Sequence, residues 1–272
     1  MRPFYYLIAI ALAVVVLSAS LEEMRLTRIV SAKLDIDHST DLAWKSLWET
    51  LTFSWYSGAT QARSEISQLL AEAKHHNELS TRAAAAFLAV TVVFLGTRVW
   101  QARGRRDDSR ISLTADVIGV SALCLVVGLV APVFSLKAFA QLPVLGEIVL
   151  KYEAKSILMT VASLVKSQTY FVAFLVSIFS IVIPALKIFI STLVIQHRSV
   201  TLQGRGIAFI KSVGKWSMAD VFVVAILVAY FAVSGDEFSE AKVEVGLYFF
   251  ATYCLASLLS THLLVRSLDA AR

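Results

Sequence analysis

Six apolar windows punctuate the chain, at residues 4–21, 82–100, 114–137, 168–196, 217–234 and 243–265. Each reaches or approaches the roughly 20 residues that a helix needs to cross a bilayer. The pattern therefore predicts an all-α, polytopic inner-membrane protein with six transmembrane helices. The longest polar interval, about residues 22–81, places Ser39-Thr40-Asp41 as an N-cap ahead of Leu42, Leu47 and Leu51, and later Ile66, Leu69 and Leu70 at broadly helical spacing. It reads as an extracytoplasmic helical segment between the first two spans, broken near Ser57-Gly58. A second polar stretch, Arg103-Gly104-Arg105-Arg106-Asp107-Asp108-Ser109-Arg110, is a hydrophilic linker. It divides an N-terminal transmembrane hairpin, residues 1–113, from a four-helix module, residues 114–272.

Composition agrees with this pattern. Hydrophobic residues make up 57% of the chain and charged residues 17%, with a mean hydropathy of +0.71, which is too apolar for a water-soluble domain. Positive charge sets the orientation, because short cytoplasmic loops retain Lys and Arg. Arg103, Arg105, Arg106 and Arg110 follow the second window, Arg198, Arg205, Lys211 and Lys215 follow the fourth, and Arg266 and Arg272 lie in the tail. Both termini are then cytoplasmic, and residues 22–81 lie outside. The formal net charge of +5 is spread over these loops, so no nucleic-acid surface is implied. Met1-Arg2-Pro3, the apolar run and Ser18-Ala19-Ser20 also resemble a cleavable signal peptide; under either reading the chain beyond it begins outside.

Few residues offer chemistry. No GxSxG, HExxH, P-loop or GxGxxG after a strand is present, which speaks against an enzyme and against a bound cofactor. Cys124 and Cys254 form no CxxC pair and read as buried small hydrophobes. Asp35, Asp37, His38 and Asp41, with His75-His76, have metal-ligating side chains, but acids before a helix usually cap it and no two histidines have zinc spacing. No metal site is expected. Trp44 and Trp48 stand one turn apart with Trp55 beyond, forming either a face for a lipid or partner or an anchor at the headgroup layer.

Two intramembrane charges stand out, because a charge at such depth is costly. Lys187 follows Pro184 in the fourth window, about nine residues or ~13 Å from its cytoplasmic end, and Asp220 lies ~6 Å inside the fifth. A lysine side chain spans most of that offset, so the two form an ion pair if their helices are neighbours. Alternatively, Lys187 snorkels to the headgroups and Asp220 caps its helix. Pro184 removes a backbone donor and predicts a bend or hinge beside the lysine. Trp216 reads as an interface anchor and Ser217 as a cap or interhelical contact.

The stretch Gly214-Lys-Trp-Ser-Met-Ala-Asp-Val-Phe-Val-Val-Ala225, which contains Trp216, Ser217, Met218 and Asp220, resembles the GRWSMLDVFVVA signature of the paraquat-inducible protein A family, also called the PqiA or LetA family. Pro184-Ala-Leu-Lys187 is similar to its P-x-x-K, and Ala131-Pro132 resembles the proline near the end of the first helix of its module. Ser156-Ile157-Leu158, followed by Leu164, looks like the short segment before its second helix. The resemblance covers roughly residues 114–265. It implies one four-helix membrane module that works with periplasmic MCE-domain proteins in carrying phospholipid across the cell envelope, with Lys187 and Asp220 at the family's polar intramembrane positions. Family members typically carry tandem modules, each preceded by a cysteine-rich zinc ribbon. This chain has one module and no CxxC, so zinc is not carried over, and a two-module handoff requires a homo-oligomer.

The reading that results is an inner-membrane subunit of a bacterial lipid transport system, passing phospholipid to or from an MCE-domain partner. The alternative is a non-transporting membrane scaffold or envelope-stress sensor acting through the extracytoplasmic segment.

Overall fold

The computed structural model describes residues 2–33, 58–102, 108–142, 146–196 and 239–269. Helix α1 (Arg2–Lys33) and helix α2 (Gly58–Ala102) form an antiparallel pair. Small residues, Ala9 and Ala13 of α1 and Ala83 and Ala84 of α2, are buried in one cluster. Between membrane helices this lets backbones approach closely where no hydrophobic effect drives association. Tyr5 stacks on Phe94 with ring centroids 3.8 Å apart, and its hydroxyl meets Thr91 Oγ1 at 3.0 Å. Both helices run well past the predicted windows: the inward face of α1 continues through Glu23, Met24, Thr27 and Val30, at helical spacing.

Helix α3 (Asp108–Val130) packs along helix α6 (Val245–Asp269). The third window was expected to remain helical to residue 137, but the helix ends at Val130. Pro132 cannot supply a helical N–H and disfavours helix in the residue before it. From Pro132 the chain is extended: β1 (Pro132–Leu142), β2 (Gly146–Ser156) and β3 (Ser239–Val243) make an antiparallel sheet in the order β2-β1-β3. The sequence reading contained no strand. Its apolar windows did not separate helix from strand, although Lys151, Glu153 and Lys155 alternate with Tyr152 and Ala154 at the period of a strand. Apart from this sheet, the described chain is helical.

After β2, helix α4 (Ile157–Lys166) begins at Ser156, whose hydroxyl accepts from the Met159 N–H at 3.2 Å. A turn through Gln168, with φ of 60°, leads into α5, the span Tyr170–Gln196. Among the described residues five helices are long and apolar enough to cross a membrane, α1, α2, α3, α5 and α6. The expected span at 217–234 lies outside the described residues. One hydrophobic core takes residues from both halves of the chain, among them Tyr5 and Val16 of α1, Phe87 of α2, Val120 of α3 and Phe249 of α6.

Two glycines set how closely α6 can lie. A Cβ on Gly246 would stand 2.5 Å from the Ala131 carbonyl oxygen, and one on Gly128 would stand 2.8 Å from the Phe250 nitrogen. Both obstacles are backbone, which cannot rotate aside. Gly246→Ala and Gly128→Ala should each destabilise the protein by about 1–3 kcal/mol, the usual penalty of overpacking. Gly96→Ala, with open space around it, should be neutral or stabilising. Thermal unfolding of the three variants in one detergent checks the contrast.

Candidate functional site

The residue singled out in the fourth window is enclosed by protein. Pro184, Lys187, Ser191 and Val194 share one face of α5, and all four are buried. That face is turned to α3 and α6, and at its far end Val194 packs with Leu264. Lys187 is only 3% exposed, so it is not spread along the helix surface towards the headgroups. The outer face of α5 stays apolar and open, with Phe171, Phe174 and Phe189 exposed.

The backbone just before Pro184 is irregular. Residues Ile178–Val182 form a π-helical turn, and the Ile183 N–H donates to the Ile178 carbonyl, five residues back. A proline just beyond lacks the N–H that would continue the regular ladder. Widened turns of this kind are local irregularities that often accompany functional sites. Trp216, Ser217, Met218 and Asp220, like Trp44, Trp48 and Trp55, lie outside the described residues.

At the sheet end of the helices is a buried polar cluster that sequence reasoning did not single out. Glu23 on α1 and Glu244, the residue between β3 and α6, are both essentially inaccessible. The Asn77 side-chain amide of α2 donates to both, at 2.9 Å to Glu23 Oε1 and by a short bond to Glu244 Oε2. Ser135 of β1 donates to Glu244 Oε1 at 2.6 Å. Lys242 donates to Asn77 Oδ1 at 2.9 Å and stands 3.8 Å from Glu244 Oε1. The Glu244 backbone also joins in, donating its N–H to the Val133 carbonyl at 3.0 Å. One cluster thus ties α1, α2, β1, β3 and the start of α6 together.

A second cluster lies at the opposite end. Asp116 of α3 is buried and accepts from Arg98 Nε of α2 at 2.7 Å and from Arg2 Nη2 of α1 at 3.2 Å. Ser112 accepts from both guanidinium groups, and its carbonyl accepts from Arg2 Nη2 at 2.9 Å. Tyr6 adds a longer contact, 3.5 Å from Asp116 Oδ1. The same criterion that selected Lys187 would have found this site, since Arg98 and Asp116 are charges inside the windows 82–100 and 114–137.

The spacing of the clusters has physical meaning. Arg2 and Glu23 are 21 residues apart on α1, as are Asn77 and Arg98 on α2, or ~31 Å at a helical rise of 1.5 Å per residue. That is about the thickness of a bilayer's hydrocarbon core. The polar clusters therefore bracket an apolar slab in which Lys187 is the buried cation of α5. Cys124 and Cys254 are both buried, as expected. Among the described residues no group of three or more His, Cys, Asp or Glu side chains could hold a metal ion.

Removing the shared donor should be costly, because two enclosed carboxyl groups would lose one partner together. Asn77→Ala should destabilise the protein by about 3 kcal/mol, whereas Ser67→Ala on the exposed surface of α2 should change stability by less than about 0.5 kcal/mol. Thermal unfolding in detergent separates these outcomes.

A stretch of 108 residues is 37% identical to a Haemophilus influenzae protein named "Probable intermembrane transport protein", covering 37% of this chain and 25% of that relative. The match thus spans about a quarter of the relative's length. No solved structure matches. Residues 124–268, more than half of the chain, match the family described as Paraquat-inducible protein A, and the chain belongs to that family.

Proposed function

We propose that this protein is an inner-membrane subunit of a bacterial lipid transport system, which passes phospholipid to or from a periplasmic MCE-domain partner. The observation that carries this reading is family membership across the segment containing the enclosed Lys187 and its π-helical hinge. The printed name of the Haemophilus relative supports transport between membranes. The machinery is non-enzymatic in this reading.

The path of the chain supports six spans with both termini cytoplasmic. Helix α5 starts beyond the sheet and ends near Leu264, which is 19 residues along α6 from the sheet-side Val245, or ~28 Å away. Strand β3 pairs with β1 back at the sheet. Residues 217–234 are apolar and long enough in sequence for a membrane span between α5 and β3. With α1, α2, α3, α5 and α6, that segment brings the total to six.

In the proposed mechanism Asp220 enters that returning span beside Lys187. An ion pair in a low-dielectric setting responds strongly to loss of either charge, and the π-helical turn gives α5 a place to bend as the pair forms or breaks. The open apolar face of α5 is where acyl chains would lie. Phospholipid then moves along the module as the hinge changes state.

Lys187→Met and Asp220→Asn should each abolish phospholipid transfer without loss of membrane insertion. Transfer that persists in both single variants would remove the ion-pair mechanism. The subunit assignment is tested separately, by crosslinking in native membranes, affinity purification and mass spectrometry of proteins and lipids. Recovery of an MCE-domain protein with phospholipid is expected; a signalling partner recovered with neither would favour the scaffold or sensor role.

A further inference from the structure

The cluster around Asp116 carries more positive charge than its own structure neutralises. Among the described residues two guanidinium groups, Arg2 and Arg98, face one carboxylate, which leaves a residual charge of about +1. Donors also outnumber acceptors, since each guanidinium has five N–H groups and the acceptors around them are Asp116, Ser112 and, for Arg98, Gln101 Oε1 at 3.4 Å. The excess faces outward: the Arg2 side chain is 46% exposed, against 20% for Arg98 and 5% for Asp116. Beside it on α1 the exposed Leu7 and Ile10 follow, and on α3 the exposed Ile111 precedes Ser112. A half-open arginine thus stands at the head of an apolar surface, ~31 Å from the other polar cluster and therefore at the level of lipid headgroups.

We propose that Arg2, Arg98 and Ser112 bind the headgroup phosphate of an anionic phospholipid whose acyl chains lie against α1 and α3. Guanidinium matches phosphate oxygens in a bidentate fork, and a headgroup of net charge −1 neutralises the residual +1, which a zwitterionic headgroup does not. Asp116 keeps both arginines converged on one point. The site lies outside the segment shared with the family, so its occupancy does not depend on the transport reading.

Native mass spectrometry of the purified full-length chain, titrated with phosphatidylglycerol or phosphatidylethanolamine of identical acyl composition, tests the assignment. The unmodified protein should favour phosphatidylglycerol by about fivefold, the contribution of one arginine at a lipid surface. Arg2→Gln, which leaves the Arg98–Asp116 pair in place, should bring the two lipids to parity without altering helical content, and Arg2→Lys should retain part of the preference. Arg25→Gln, on an exposed residue at the other end of α1, should keep it whole. An unchanged preference in Arg2→Gln, or none in the unmodified protein, would overturn the proposal. Displacement of phosphatidylglycerol by inorganic phosphate at equal concentration would overturn it too, since the site would then hold a free anion.

Discussion

Everything in this structure hangs on one constraint: two carboxyl groups buried in the same place must be satisfied there. Glu23 comes from the first helix and Glu244 from the residue that starts the last, and a single amide, Asn77, reaches both. Bonds to enclosed polar groups offset the cost of burying them, and these join α1, α2 and the junction of β3 with α6. Ser135 and the Val133 carbonyl bring β1 into the same arrangement. Gly246 then permits α6 to start against the turn after α3, where any side chain would strike backbone.

From that junction the helices have a rigid upper end and a second fastening one bilayer thickness away, at Asp116. Helix α5 differs. It belongs to neither cluster, its outward face is open, and its regular ladder is interrupted between Ile178 and Val182. The molecule thus combines a well-fastened set, α1, α2, α3 and α6, with one helix that carries a π-helical turn and an enclosed lysine.

Much of the helical architecture was legible in the sequence, since long apolar runs report bilayer thickness directly. Windows for α5 and α6 coincide with described helices, and the depth of Lys187 marked it as a residue needing protein around it, which it has. Helix α1 was drawn too short because its extension is amphipathic, and a hydropathy average hides a buried stripe such as Glu23, Thr27 and Val30. The end of α3 was drawn too long for the converse reason: Val133, Phe134 and Leu136 are apolar in a strand as they would be in a helix. Glu23, Asn77 and Glu244 were not identified because their partnership exists only in three dimensions, across 54 residues in one direction and 167 in the other. The Trp216 to Asp220 signature that carried the family resemblance lies outside the described residues, while the family itself is shown by the match over residues 124–268.

The measurement that reaches the centre of this account is a double-mutant cycle on Glu23→Gln and Glu244→Gln, followed by thermal unfolding in a single detergent. Groups that share one donor should be coupled, so the double variant should depart from the sum of the two singles by about 1 kcal/mol or more. Additivity within about 0.5 kcal/mol, the behaviour of independent sites, would contradict the claim that Asn77 joins the two carboxyl groups into one structural unit.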